Sequence, residues 1–213
     1  MKNFLVLTCL ILLFSSALMA QNTLATLANS MQPGTFALLN SEGDGSNWGN
    51  SILWTGGSNG ITGFAGKMVY DAATDRVYFS GGEHSGATKT IHYDIATNRW
   101  VDDGGVPSPP FQWGHAYDSN AIIPSARELW ANSRMELTFG SNQNLRRLDL
   151  TTNTWSAPPL PQAFYQTEPS MEYFPDRDEL LWLQGGWLGG LAAYKKSTNT
   201  WTTVHSGGGS YDP

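Results

Sequence analysis

Tyr93-Asp94-Ile95-Ala96-Thr97-Asn98-Arg99-Trp100 is the stretch that decides the fold. Its ending returns as Thr152-Asn153-Thr154-Trp155 and again as Thr198-Asn199-Thr200-Trp201. The three tryptophans lie 55 and 46 residues apart. Each phrase follows a short run of alternating apolar and polar residues, the pattern of a half-buried strand. Asn tolerates positive φ and bonds nearby backbone through its side chain, so Thr-Asn closes a tight turn. Recurrence near every 50 residues predicts a row of repeated structural units.

Working outward from these turns, each unit divides into four strands. The first strands are read at Met68-Val69-Tyr70-Asp71, His115-Ala116-Tyr117-Asp118 and Met171-Glu172-Tyr173-Phe174. Turns such as Thr74-Asp75-Arg76 and Pro175-Asp176-Arg177 follow. Second strands are Val77 to Ser80, Glu128 to Trp130 and Leu180 to Leu183, two of them running into Gly81-Gly82 and Gly185-Gly186. A glycine pair lets the chain turn where side chains would crowd a neighbour. Third strands are Ile91 to Asp94, Leu145 to Leu150 and Leu191 to Tyr194, and the Trp opens the fourth. Trp100, Trp155 and Trp201 are large enough to fill the wedge between adjacent units, and packing is their expected role.

Four strands per unit, Gly-Gly after the second, Tyr in the third and Trp in the fourth resemble the kelch repeat, as in the central domain of galactose oxidase. The resemblance covers about Phe64 to Val204. The units with Gly81-Gly82, Tyr93, Trp100 and Gly185-Gly186, Tyr194, Trp201 match it. The middle unit departs, with Phe139-Gly140 in place of a glycine pair and Leu148 in place of Tyr. The resemblance implies an all-β, kelch-type β-propeller of four-stranded antiparallel blades. About three blades are present, over residues 64–213. Closed propellers take four to eight blades, so the chain is expected to be the N-terminal part of a longer product. Assembly of several copies into a ring is the alternative. Residues 21–63 read as a lead-in, with a helical turn near Leu24 and Leu27 and candidate strands at Thr35 to Leu39 and Ser51 to Thr55. The first of these is a candidate to pair with the last blade. A Trp-Asp dipeptide closes no unit, and Ser41 to Trp48 only approximates an Asp-box.

Residues 1–20 read as a signal peptide, with Lys2, an apolar run from Phe4 to Leu13, and Ala17 and Ala20 before Gln21. The apolar run is short of the roughly 20 residues that span a bilayer, so the product is expected to be secreted or periplasmic and free of the membrane. Cys9, the only cysteine, lies inside that run, so the mature chain has neither a disulfide nor a thiolate metal site. Loss of Lys2 leaves 11 basic and 18 acidic residues, a net −7. With no basic run, nucleic acid is not an expected partner. A low charged fraction, 14%, with 23 Gly and 9 Trp, suits an all-β chain and neither a disordered one nor a helical bundle.

In kelch-type blades, the loops joining strands two and three share a face with the loops between blades. Here these are Glu83 to Lys89, Asp102 to Gly114, Ala131 to Asn144, Ala157 to Pro169 and Trp187 to Gly190. Loops on a rigid scaffold are common places for binding groups. Trp113 and Trp187 stand outside the repeat position. Flat rings of this kind stack on sugar faces, or else pack beneath a loop. With Arg134 and Gln166 they form the candidate ligand-binding set. His84 and His115, with Glu83 or Glu168, form a candidate acid–base set, although hydrogen-bonded loop histidines explain the same residues. Their spacing carries no metal motif, and no metal or cofactor is expected. Galactose oxidase chemistry needs a tyrosine cross-linked to a cysteine, which the mature chain lacks. Gly-x-Ser-x-Gly, phosphate-loop and His-Glu-x-x-His motifs are absent. The leading expectation is a secreted binding module for carbohydrate or another extracellular ligand. The alternatives are a glycan-active lyase or hydrolase and a cell-surface protein-interaction scaffold.

Overall fold

A computed structural model describes residues 23–37, 66–82, 88–103, 118–132, 145–159, 170–183 and 189–207. The N-terminal part holds one helix, α1 (Thr23–Ser30). The rest is β-structure, in three four-stranded antiparallel sheets that resemble propeller blades. Blade 1 is β1 (Val69–Asp71), β2 (Arg76–Gly82), β3 (Thr88–Asp94) and β4 (Arg99–Asp102). Blade 2 is β5 (Asn120–Ile123), β6 (Glu128–Asn132), β7 (Leu145–Asp149) and β8 (Thr154–Ser156). Blade 3 is β9 (Ser170–Phe174), β10 (Glu179–Leu183), β11 (Leu191–Lys195) and β12 (Thr200–His205). Strand order within each sheet follows the chain.

The turns explain this regularity. Each blade has one left-handed residue between its first and second strands: Asp75, Arg127 and Asp178, at φ 53°, 55° and 51°. Each has another between its third and fourth strands: Asn98, Asn153 and Asn199, at φ 56°, 54° and 53°. Asn and Asp bear this conformation better than most side chains. In blades 1 and 3 a tyrosine five residues earlier secures each turn. The Tyr93 hydroxyl donates to Asn98 at 2.6 Å and the Tyr194 hydroxyl to Asn199 at 2.7 Å. Tyr173 donates to Asp178 at 2.9 Å, and Tyr70 donates to Asp75. Blade 2 carries Ile122 and Leu148 at the matching places. Its turns lack the tyrosine bonds: Asp149 Oδ1 accepts the Thr151 and Thr152 amides, as Asp94 accepts the Thr97 amide in blade 1, and a proline-led 3-10 turn, Pro124–Ala126, matches Pro175–Arg177 of blade 3.

Two sequence expectations are corrected. The first strand of blade 2 is Asn120–Ile123, not His115 to Asp118. Asp118 lies in a turn, and residues 115–117 are outside the described residues. The β-branched Ile122-Ile123 pair leading into Pro124 carries the strand, and Tyr117-Asp118 only imitates Tyr70-Asp71. Thr35, the first residue of the candidate strand at 35–39, belongs to a turn bonded back to Gln32, and Phe36 is fully exposed. The described part of that stretch, 35–37, forms no strand pairing with the last blade. The second candidate strand, at 51–55, lies outside the described residues.

The core sits in the seams between blades. Between blades 2 and 3, Ile123, Trp130 and Leu145 meet Met171, Leu180, Trp182, Ala192 and Tyr194, with Trp201 packed alongside. Trp130 lies 4.6 Å from Tyr194 and 6.1 Å from Trp201, ring to ring, so Trp201 fills the wedge between blades 2 and 3. Between blades 1 and 2, Tyr78 meets Ile122, Leu129 and Leu148, with Val69, Leu150 and Trp155 alongside.

Candidate functional site

The antiparallel meander gives each blade two unlike ends. The short left-handed turns gather at one end. At the other lie the starts of β1, β5 and β9 and the ends of β2, β6 and β10, from which the long connections leave. Glu83, His84, Trp113, His115, Arg134, Gln166, Glu168 and Trp187 all belong to those connections, and all lie outside the described residues.

The described residues at this end carry two polar groupings that the repeat pattern did not single out. The first joins the starts of the three innermost strands. Lys67, just before β1, reaches across to blade 3, where its Nζ donates to the Met171 carbonyl at 2.5 Å and to Glu172 Oε2 at 2.6 Å. Asn120, opening β5, donates through Nδ2 to the Lys67 carbonyl at 3.1 Å and the Ser80 carbonyl at 2.9 Å. The Met171 amide donates to the Asp118 carbonyl at 3.1 Å. Three blades are thus knotted at one point. Asn120 is fully buried, and its Oδ1 has no hydrogen-bond partner among the described residues. A buried acceptor left unmatched costs about 1–3 kcal/mol.

The second grouping lines the seam between blades 1 and 2. Ser80 and Thr90 are opposed in register, with hydroxyls 2.9 Å apart. His92, two residues along β3, faces the same side and lies 5.3 Å from the Tyr78 ring. Its Nδ1 is 2.8 Å from both oxygens of Asp103, whose amide donates to the Thr90 carbonyl. A carboxylate accepting there favours a proton on Nδ1. From blade 2, Asn120, Ala131 and Arg146 stand in register across the sheet. Burial pulls the Arg146 guanidinium down to about 10.

At the turn end, charge stitches the blades. Arg127 grips Asp71 with both terminal guanidinium nitrogens. Burial pushes the Asp71 carboxyl up, but bonds from Arg127, Thr74 and the Ala73 amide outweigh it, and the group ends below its ordinary 3.8. Glu128 accepts from Lys196 across the seam to blade 3 and from Trp130 Nε1 at 3.1 Å. Ser125 donates to Asp178 at 2.8 Å across the same seam.

Among the described residues, no group of three or more His, Cys, Asp or Glu is placed to hold a metal ion, and no helix is long and apolar enough to cross a membrane.

The chain matches no family model, and no curated protein matches it. Among solved structures it is similar to TolB from Acinetobacter baumannii, at 10% identity and a TM-score of 0.46 over 65% of this chain. It is also similar to a structural genomics protein of unknown function from Bacteroides thetaiotaomicron, at 17% identity and a TM-score of 0.47 over 62% of this chain. This chain covers 31% of the length of each. The blade assignment stands on the three sheets themselves.

Proposed function

We propose that the chain is part of a kelch-type propeller, secreted or periplasmic, whose loop-bearing end binds carbohydrate or another extracellular ligand. One observation supports this reading above the rest. Every described turn at one end is short and held by a left-handed residue, while the long connections leave from the other. A rigid scaffold with its variable segments on one side is the usual arrangement of a binding face. Gly81-Gly82 with Tyr93 and Trp100, and Tyr194 with Trp201, support the kelch assignment within this reading. A net charge of −7 after loss of the leader weighs against nucleic acid and anionic membrane surfaces as partners.

Trp113 and Trp187 are the proposed stacking residues, with Arg134 and Gln166 as polar neighbours. The test is glycan-array binding by the full chain beside Trp113→Ala and Trp187→Ala. At least one glycan should be retained, and each variant should retain it at least tenfold more weakly. Capture by the parent and both variants alike would remove the stacking assignment. Turnover of the retained glycan, lost in His84→Ala or His115→Ala, would replace the binding module with the enzymatic alternative. Indifference to all glycans, with capture of a protein partner, would replace it with a scaffold.

A further inference from the structure

We infer that β12, the outermost strand of blade 3, is a strand-addition edge through which two copies of this chain pair antiparallel. The surface is the outer edge of a sheet and not the loop-bearing end, so it stands or falls separately from the ligand reading above.

The edge itself is the first observation. β12 pairs with β11 on one side, and no described strand pairs with the other. A sheet edge presents a row of backbone donors and acceptors to any incoming strand, and proteins blunt it with short strands, charges or proline. The other two outer strands are blunted. β8 has three residues, and β4 carries Arg99 at its start and Asp102 at its end. β12 runs for six residues, Thr200–His205, without proline, lysine, arginine or a carboxylate. All but Trp201 are exposed. Threonine and valine suit a strand, and an uncharged run of such residues is the composition that pairs edge to edge. A bulge between Leu191 and Ala192 sets Val204 apart, while Thr200 to Thr203 keep an unbroken register with β11. That regular stretch is the template for an added strand. Blades stack through their faces, as both seams show, so a neighbour on either face of blade 3 leaves this edge open.

Charge decides the occupant. The chain carries a net −6, so two copies repel over much of their surface. From Ser197 to Tyr211 there is no Asp, Glu, Lys or Arg, so at β12 two copies meet without opposed like charges. A foreign peptide gains the same backbone bonds, but β12 offers no charge with which to select it. A two-fold axis brings the same strand of each copy together. Centred on Thr202, it sets Thr202 opposite the partner's Thr202 and Trp201 opposite the partner's Thr203. Threonine pairs of this kind are favourable across strands. Two four-stranded blades thereby become one continuous sheet.

The experiment is sedimentation velocity on the full chain over a dilution series, beside Thr202→Lys, Thr202→Glu and an equal mixture of the two variants. Thr202 is exposed, so both variants should fold, which an unchanged melting temperature checks. Thr203→Lys and Thr203→Glu, one residue along the strand, repeat the comparison should they not. The parent should dimerise reversibly. Each variant alone should dimerise about tenfold more weakly, because like charges then face each other across the axis, and the mixture should recover the parent's affinity, because opposite charges do. A parent that stays monomeric at every concentration would overturn the inference. So would a dimer that each variant forms as readily as the parent, since the contact then lies elsewhere. Loss in the single variants without recovery in the mixture would overturn the pairing of two copies and leave β12 as an edge for a different chain.

Discussion

The seam between blades 2 and 3 is an aromatic wall, while the seam between blades 1 and 2 is polar along its loop end. Trp130, Trp182, Tyr194 and Trp201 interlock in the first, with rings 4.6–6.1 Å apart. In the second, apolar contact is confined to a smaller group around Tyr78, Ile122, Leu129 and Leu148. Ser80, Thr90, His92 and Asn120 occupy the loop-end space, and the Asp71–Arg127 pair closes the turn end. Aromatic burial supplies much of the energy that joins blades. Buried polar groups add little net stability and are costly when mismatched. One seam is joined chiefly by aromatic packing, and the other chiefly by polar contacts at its two ends.

The largest expected effect tests the aromatic wall. Trp130→Ala removes a side chain with no exposed surface and should cost about 3–5 kcal/mol, read from urea unfolding. A cost below about 1 kcal/mol would show that blades 2 and 3 do not depend on that wall. Arg127→Asn tests the polar seam. Asparagine accepts the left-handed backbone, so the change isolates the loss of charge beside Asp71. Breaking a fully buried pair costs about 3–5 kcal/mol. Arg127 is 25% exposed, so about 2 kcal/mol is expected here, in the same unfolding assay.

Acid should sharpen the contrast. Asp71 sits below its ordinary 3.8, and so do Asp94, Asp149 and Asp178. Burial opposes the shift at Asp71 and Asp94, and hydrogen bonds from Arg127 and Thr97 overcome it. Backbone amides lead at Asp149, and the Ser125 hydroxyl leads at Asp178. As pH falls through 3.8 the unfolded chain takes up protons first, so stability present above that value drains away below it. Urea midpoints between pH 5 and 2.5 should fall, and Arg127→Asn should show a shallower fall, because Asp71 has lost its main partner. Parallel slopes would remove Asp71 from the account.

The smallest effect compares turns. Asn199→Ala strains a left-handed position and removes the acceptor of the Tyr194 hydroxyl, for about 2 kcal/mol, whereas Asn153→Ala bears the strain alone, at about 1 kcal/mol. Equal melting-temperature losses would mean that the tyrosine bond contributes nothing.

Three Thr-Asn-x-Trp phrases made the sheets legible, because a turn that demands a left-handed residue leaves a local mark. The first strand of blade 2 was misplaced because Tyr117-Asp118 copies the ending of β1, while Ile122 and Leu148 stand where other blades carry tyrosine. Leu148 was visible as a departure from the repeat, and it belongs to the core of the polar seam. The site was much less legible. His92 occupies an ordinary alternating position, and nothing near it in sequence announces Asp103 as its partner. Asn120 did leave a trace. Counted back seven residues from each first-turn left-handed residue, it replaces Met68 and Met171 in an otherwise apolar column. The Lys67 contacts left none, since their partners lie over a hundred residues away.

That distance has a consequence for how the chain reaches its final form. Within each blade the pairings are between neighbours in sequence, and such hairpins close quickly. Lys67 waits for a carbonyl 104 residues downstream. During synthesis at about 5–20 residues per second, its ammonium spends several seconds without that partner. It is bound only once the third sheet has emerged and docked. The knot at the innermost strands is therefore among the last contacts to form, and its appearance marks the arrival of all three blades.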